Sequence, residues 1–194
     1  MFCLVTSITP GPNTIMLMAS GLNHGINKSL PHLFGIIFGF QIMLACIGLG
    51  FGVVFSSYPI IHQVIKVFGI GYLLFIAWKI ANSSNPEASE KIKKPFTCIQ
   101  AMAFQWVNPK AWVIGIGAIA TFTTIGNMMS QVAVIIVGYL TVGALSMLVW
   151  LLLGTSLQKL LRSQKQFQYF NMCMGMLLAV SVIAMAASEI SNVI

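Results

Sequence analysis

Two short polar sequences interrupt apolar segments of this chain, and both contain proline. The first is TPGPN, residues 9–13, and the second is VNPK, residues 107–110. Proline has no backbone N–H and clashes with the preceding helical turn, so each sequence is expected to break a helix. A broken helix offers free N–H groups at one new end and free carbonyl groups at the other. Together these ends suit a small molecule that carries both a negative and a positive charge.

Polar side chains beside the two breaks are candidate ligands for such a molecule. Asn13 follows the first break, while Asn108 and Lys110 flank the proline of the second. Lys110 is the only charge well inside an apolar segment, where a charge is costly and usually functional. The alternative is that Lys110 extends its ammonium group to a polar interface. Gln41 and Gln105 are amides in apolar segments that either line a cavity or bond a neighbouring helix.

The composition indicates that lipid covers most of the molecule. Of the 194 residues, 58% are hydrophobic and 7% are charged, whereas a soluble domain is typically about 25% charged. The net charge of +7 does not indicate a nucleic-acid partner, because the basic residues lie in short polar breaks between apolar runs, as residues that flank membrane spans do. We therefore expect a lipid bilayer as partner and no nucleic acid.

Six segments are apolar and long enough to span a bilayer, which requires about 20 residues. They are residues 2–22, 33–55, 61–81, 97–122, 132–155 and 167–187, of which the first and fourth contain the breaks. The polar residues 82–95 divide the chain into two halves of three spans, about 1–81 and 96–194. The prediction is a single all-α integral membrane domain of six transmembrane helices.

The two halves resemble each other. A shift of 104 residues aligns 39–50 with 143–154 and matches Gly39, Met43, Leu44, Leu49 and Gly50 with identical residues. A shift of about 95 aligns the two breaks. Because each half has an odd number of spans, the second half is predicted to insert upside down, as a 3+3 inverted repeat with a broken first helix in each half.

The basic residues predict the orientation in the membrane. Eight of the ten fall on one side of the six spans, which the positive-inside rule makes cytoplasmic. Residues 82–95 are then a cytoplasmic loop and both termini face outward. His24 and His32 are expected at the cytoplasmic interface. The eight are Lys28, Lys79, Lys91, Lys93, Lys94, Lys159, Arg162 and Lys165.

Three sequences, TPGPN, FGIGYLLFIAWKIA (68–81) and FQWVNPKAW (104–112), resemble in order and separation the LysE/RhtB family of bacterial amino-acid exporters. Their motifs are most similar to those of the cysteine/O-acetylserine exporters. The resemblance implies a multi-pass carrier in the inner membrane that exports small neutral amino acids of the cysteine/O-acetylserine or homoserine/threonine kind, coupled to proton influx. It also implies a carrier, not an enzyme, with no cofactor or metal. The candidate substrate-binding residues are Pro10, Gly11, Pro12, Asn13, Gln41, Gln105, Asn108, Pro109 and Lys110.

The chain departs from that family in two ways. Many members carry an acid where this chain has Asn13, and here no acid lies in the membrane core. This argues against a dibasic substrate and against proton coupling through a buried carboxylate. Only eight residues precede Thr9, which leaves the first span short.

Two other classes of protein remain open at this point. A transmembrane thiol redox carrier would need paired thiols, and Cys3 and Cys98 each precede an asparagine of a break, Asn13 or Asn108, by ten residues. A passive channel is also compatible with the sequence. The four cysteines form no CxxC pair and no zinc-like cluster, and we expect them to act as small apolar side chains.

Overall fold

The computed structural model describes residues 1–51, 59–82, 95–124, 126–161 and 163–191, and nearly all of them are helical. This part of the chain contains no β-strand. Two π-helical turns, Ile47–Phe51 and Tyr139–Gly143, extend or join α-helices. The α-helices are α1 Phe2–Ile8, α2 Pro12–Cys46, α3 Pro59–Ala81, α4 Cys98–Val107, α5 Pro109–Phe122, α6 Met128–Gly138, α7 Ala144–Leu160 and α8 Gln164–Ser191.

Within the described ranges, three helical stretches are long and apolar enough to cross a membrane. They are Pro12–Gly50, Met128–Leu160 and Gln164–Ala184, and two shorter apolar helices are Val67–Ala81 and Pro109–Phe122. The prediction of an all-α protein suited to a membrane is thus confirmed. The stretches differ from the six predicted spans because α2 runs through the first two spans and because the breaks leave short helices. Residues 83–94 of the predicted loop lie outside the described residues.

Helix α2 is in fact two antiparallel helices joined at Gly25. The backbone of Gly25 has φ 75° and ψ 178°, a conformation that is essentially restricted to glycine. The hydroxyl groups of Ser20 and Ser29 are 2.8 Å apart, whereas nine residues of a straight helix would separate them by about 13.5 Å. The chain therefore reverses at Gly25, which is the boundary that the sequence predicted between the first two spans.

Glycines allow the helices to approach closely at three places. A methyl group built on Gly154 of α7 would overlap the carbonyl oxygen of Met18 in α2, and one on Gly35 would overlap that of Cys98. A methyl group on Gly175 of α8 would lie 2.5 Å from the carbonyl oxygen of Ala77 in α3. These contacts join α2 to α7, α2 to α4, and α3 to α8, the most extensive helix pairs of the described chain.

The position of His32 differs from the prediction. We expected this side chain at the cytoplasmic interface, but it is 2% exposed. Its ring stacks on Phe96, with the ring centroids 5.2 Å apart. The prediction was wrong because the residues that lead into α4 cover this end of the hairpin, which the apolar pattern of a single segment does not reveal.

Candidate functional site

The first break separates α1 from α2. Helix α1 ends at Ile8, and α2 begins at Pro12, where a missing N–H is tolerated because the first helical N–H groups have no partner within the helix. Gly11 donates its N–H to the hydroxyl of Thr14 at 2.8 Å. The two prolines and the glycine therefore end one helix and start the next, as the sequence predicted.

The second break lies at Asn108, between α4 and α5. Asn108 is 2% exposed, and its backbone is extended, with φ −86° and ψ 105°. Its side-chain oxygen accepts the N–H of Lys110 at 3.2 Å, which caps the new helix. Pro109 occupies the first position of α5, the same position that Pro12 has in α2.

Lys110 joins the two breaks. Its ammonium Nζ donates to the carbonyl oxygen of Thr9 at 2.8 Å and to that of Pro10 at 3.2 Å. These carbonyl groups follow the C-terminus of α1, the end of a helix that attracts a cation. A methyl group built on Gly11 would lie 2.7 Å from Lys110 Cδ and 2.9 Å from Nζ. The glycine between the two prolines therefore leaves the space through which the lysine reaches the first break.

A reciprocal amide pair makes a second connection between the halves. Asn13 Nδ2 donates to Gln105 Oε1 at 2.8 Å, and Gln105 Nε2 donates back to Asn13 Oδ1 at 3.3 Å. Gln105 is fully buried and also donates to the carbonyl of Ala101 at 2.9 Å. Gln105 thus holds the amide of Asn13 in a fixed orientation.

A cavity opens beside the two breaks. Of the nine predicted site residues, the structure brings five to its wall: Gly11, Asn13, Gln41, Asn108 and Lys110. The other four do not line the cavity but support those that do. Pro10 supplies a carbonyl group to Lys110, Pro12 and Pro109 start the two helices, and Gln105 holds Asn13.

The charge on the cavity wall is positive. Among the residues that the structure describes, Lys110 is the only charged side chain that lines the cavity, and no acidic side chain of this part of the chain does so. An ammonium group has three donors, and the carbonyl groups of Thr9 and Pro10 accept two of them without neutralising the charge. The wall is therefore suited to an anionic group at Lys110, and the two carbonyl groups are acceptors for a cationic one.

Comparison with known families identifies the kind of protein. A family model described as LysE type translocator matches residues 4–189. The chain belongs to the LysE type translocator family. It is accordingly a membrane transporter and not an enzyme, as the sequence predicted. No solved structure matches the chain with statistical significance.

Curated members of the LysE family cover most of this chain. A protein of Salmonella paratyphi A (strain ATCC 9150 / SARB42) named cysteine/O-acetylserine efflux protein is 34% identical over 167 residues, which are 83% of each chain. The protein of the same name from Escherichia coli (strain K12) is 32% identical over 163 residues, again 83% of each chain. The resemblance seen in the motifs therefore extends over most of the chain.

The sequence did not identify several wall residues of this LysE family member. Thr6 and Tyr139 join across the cavity wall, with their hydroxyl oxygens 2.9 Å apart. Thr6 and Ser7 lie one helical turn before the first break, and Tyr139 is the only phenol in its apolar segment, which are the signals that were available. The missed polar and glycine residues are Thr6, Ser7, Thr14, Tyr139 and Gly143.

None of the four cysteines lines the cavity, although Cys3 packs against the cluster that contains the wall residue Tyr139. All four cysteines are free. Cys98 Sγ lies 3.9 Å from Met102 Sδ, and Cys3 Sγ would lie 3.3 Å from a methyl group on Gly138. Across the described ranges, no three His, Cys, Asp or Glu side chains come together in a way that could hold a metal ion.

Proposed function

We propose that this chain exports small amino acids without net charge across the bacterial inner membrane, coupled to proton influx. The observation that carries the proposal is the meeting of the two helix breaks at Lys110, which puts a cation and free carbonyl groups at one cavity. Transporters bind their substrates at interrupted helices of this kind. The relatives named cysteine/O-acetylserine efflux protein support cysteine and O-acetylserine as the first candidate substrates.

The site suits the two charges of an amino acid. We expect the substrate carboxylate to bind the ammonium group of Lys110, assisted by the amide of Asn13. The substrate ammonium would then bind the carbonyl groups of Thr9 and Pro10, which Lys110 holds in this structure. Because none of the described wall residues is acidic, a second positive charge on the substrate would have no acidic partner among them, so lysine and arginine are expected to be excluded.

Contacts between the halves support the proposed inverted repeat. A methyl group on Gly39 would lie 2.7 Å from Met102 Cα, and one on Gly143 would lie 3.4 Å from Ser7 Oγ. Gly39 and Gly143 differ by 104 residues, while Ser7 and Met102 differ by 95. A contact between the second and fourth spans therefore recurs between the fifth and first spans.

A second pair of contacts follows the same rule. A methyl group on Gly21 would lie 2.7 Å from the carbonyl oxygen of Leu151, and one on Gly115 would lie 2.8 Å from Ile47 Cδ1. Leu151 and Ile47 differ by 104 residues. The shift of about 95 that aligns the breaks puts Gly21 at residue 116, and Gly115 is one residue from that position. Both recurrences are expected of a two-fold axis that exchanges the halves, with α3 and α8 paired across it. They support six spans in a 3+3 arrangement.

The cavity lies at one end of the proposed bundle. Its wall includes Ile36 and Gln41, which lie about 17–24 Å along the helix from the turn at Gly25, at about 1.5 Å per residue. Between the cavity and that turn the helices are in close contact, as at Gly21. With the basic side in the cytoplasm, as proposed, these contacts separate the cavity from the cytoplasm.

The proposed function is tested with the purified full-length chain in liposomes. Vesicles loaded with labelled O-acetylserine, cysteine, homoserine, lysine or arginine are followed with and without a proton gradient in the exporting direction. We expect the neutral amino acids to leave, faster with the gradient, and the cationic ones to stay. Export of lysine or arginine alone would contradict the neutral substrate, and gradient-independent flux would instead indicate a passive channel.

The orientation has a separate test in intact cells. We expect residues 82–95 to be cytoplasmic, so a Ser89→Cys variant without the native cysteines should not react with a membrane-impermeant thiol reagent. Permeabilised cells are the control for accessibility of the thiol. Efficient labelling in intact cells would contradict the orientation.

A further inference from the structure

Gln41 has a feature that sets it apart from the rest of the cavity wall. In the part of the chain that the structure describes, four buried side-chain nitrogen or oxygen atoms have no hydrogen-bond partner, and they belong to His24, His32 and Gln41. Of these residues only Gln41 lines the cavity, and the atom concerned is its Oε1. A buried amide oxygen without a partner is energetically unfavourable, so its presence beside the cavity needs an explanation.

Other polar groups around the cavity already have partners within the protein. Asn13 is bonded to Gln105, the hydroxyl of Thr6 lies 2.9 Å from that of Tyr139, and Lys110 binds two carbonyl groups. These bonds hold the groups in position beside the breaks. Gln41 lies on the second helix of the α2 hairpin and follows the apolar residues Ile37 and Phe40 of the same wall. The amide oxygen of Gln41 is therefore left without a hydrogen-bond partner in the described part of the protein, in contrast to these other groups.

We propose that Gln41 is the specificity-determining residue of the site and hydrogen-bonds the side chain of the transported amino acid. The inference rests on the proposed function, in which Lys110 and the carbonyl groups of the first break hold the charged ends of the substrate. An amide offers both an acceptor and a donor. The oxygen accepts from a hydroxyl or thiol, and after rotation of the amide the nitrogen donates to an ester carbonyl.

This role defines the substrate class more narrowly than charge does. A site with a buried group that must be hydrogen-bonded rejects a substrate of the same shape that lacks the group, because the protein atom then stays unpaired. The site is thus selective for small amino acids with a polar side chain over aliphatic ones of equal size. Homoserine and norvaline form a matched pair, since they differ by a hydroxyl in place of a methyl group.

The test compares this pair in liposomes that contain the purified full-length protein. We expect the wild type to prefer homoserine over norvaline by at least about tenfold in kcat/KM. Gln41→Leu should reduce the preference to less than about threefold, through a loss of homoserine export with norvaline export retained. Gln168 is exposed on α8 and does not line the cavity, so Gln168→Leu is the matched control and should keep the wild-type ratio.

A second variant tests whether misfolding explains the result for Gln41→Leu. Gln41→Met keeps the length of the side chain and should give the same loss of preference, and both variants must elute as the wild type does in detergent. A wild type that moves both amino acids equally, or a Gln41→Leu or Gln41→Met protein with the wild-type ratio, overturns the role of Gln41. If the wild type moves no amino acid at all, the proposed function itself fails, and the role of Gln41 fails with it.

Discussion

Two pairs of hydrogen-bonded amide side chains lie in different environments in this protein. Asn13 and Gln105 pair beside the cavity, with bonds of 2.8 and 3.3 Å, and Asn13 is only partly buried. Asn23 and Asn171 pair near the Gly25 turn, with two bonds of 3.0 Å, and are 9% and 0% exposed. The same kind of amide pair thus lies beside an open cavity in one region and between closely packed helices in the other.

The surroundings explain the difference. Around Asn23 the helices are in close contact, because a methyl group on Gly154 would overlap the backbone of α2. Around Asn13 the helices are interrupted, and the long side chain of Lys110 extends from the second break to the carbonyl groups of the first. Polar groups at the breaks can therefore exchange a protein partner for a substrate, whereas the pair at the closed end holds two helices together.

The largest expected effect comes from removing the charge at the breaks. If Lys110 binds the substrate carboxylate, Lys110→Ala removes a hydrogen bond to a charged group that is worth about 1.5–3 kcal/mol. Apparent substrate affinity should fall by about 10- to 150-fold. Lys110→Arg keeps the charge without the compact ammonium group and should restore part of the affinity. Export and binding are measured on variants whose membrane insertion is confirmed by immunoblot.

Two comparisons sharpen this prediction. Lys159 is exposed on α7 and does not line the cavity, so Lys159→Ala removes the same charge and should export normally. If Lys110 instead carries the proton, Lys110→Arg should abolish proton-coupled export but leave substrate binding intact. Wild-type export by Lys110→Ala would remove Lys110 from the site.

The second effect concerns the stability of the closed region. Gly154→Ala puts a methyl group against the carbonyl oxygen of Met18, and the backbones of α2 and α7 must separate to admit it. Overpacking of this kind typically costs about 1–3 kcal/mol, so the free energy of unfolding in detergent should fall by about that amount. Gly117 has no atom within 4 Å of an added methyl group, and Gly117→Ala is the matched control. Equal stability of the two variants would contradict the close contact.

The breaks were predictable because proline acts locally. Pro10, Pro12 and Pro109 each remove an N–H and disfavour the preceding helical turn, and the structure has both breaks at these positions. The positions of Asn13, Asn108 and Lys110 on one cavity also followed from the similarity of the two halves. Local chemistry and an internal repeat were sufficient for this part of the site.

The remaining features depend on contacts between distant segments. The burial of Gln105 results from its pairing with Asn13, 92 residues away, and Tyr139 reaches the wall because it meets Thr6, 133 residues away. A span that is apolar throughout gives no signal for which face meets a neighbour. For the same reason the burial of His32 could not be predicted from the sequence.

The third effect separates the two amide pairs. Asn23→Leu leaves the amide of Asn171 without this partner, at a cost of about 1–3 kcal/mol for a buried group. Asn23→Leu together with Asn171→Leu should cost less than the sum of the single changes, with a coupling of about 0.5–3 kcal/mol in a double-mutant cycle of unfolding. Additive costs would contradict a direct pairing. Asn13→Leu, by contrast, should mainly reduce the rate of export and have less effect on the free energy of unfolding, because the amide of Asn13 faces the cavity.

The smallest effect distinguishes the exporter from a thiol redox carrier. Cys3→Ser together with Cys98→Ser replaces both thiols by groups of similar size at positions that do not line the cavity. An exporter should therefore retain export within about twofold, because substitutions outside a binding site and outside the fully buried core usually have small effects. A redox carrier would lose its activity entirely, because transfer of electrons needs the sulfur atoms. Export of O-acetylserine is the suitable readout, since this substrate has no thiol of its own, and a loss of more than tenfold in a normally folded double variant would favour the redox carrier.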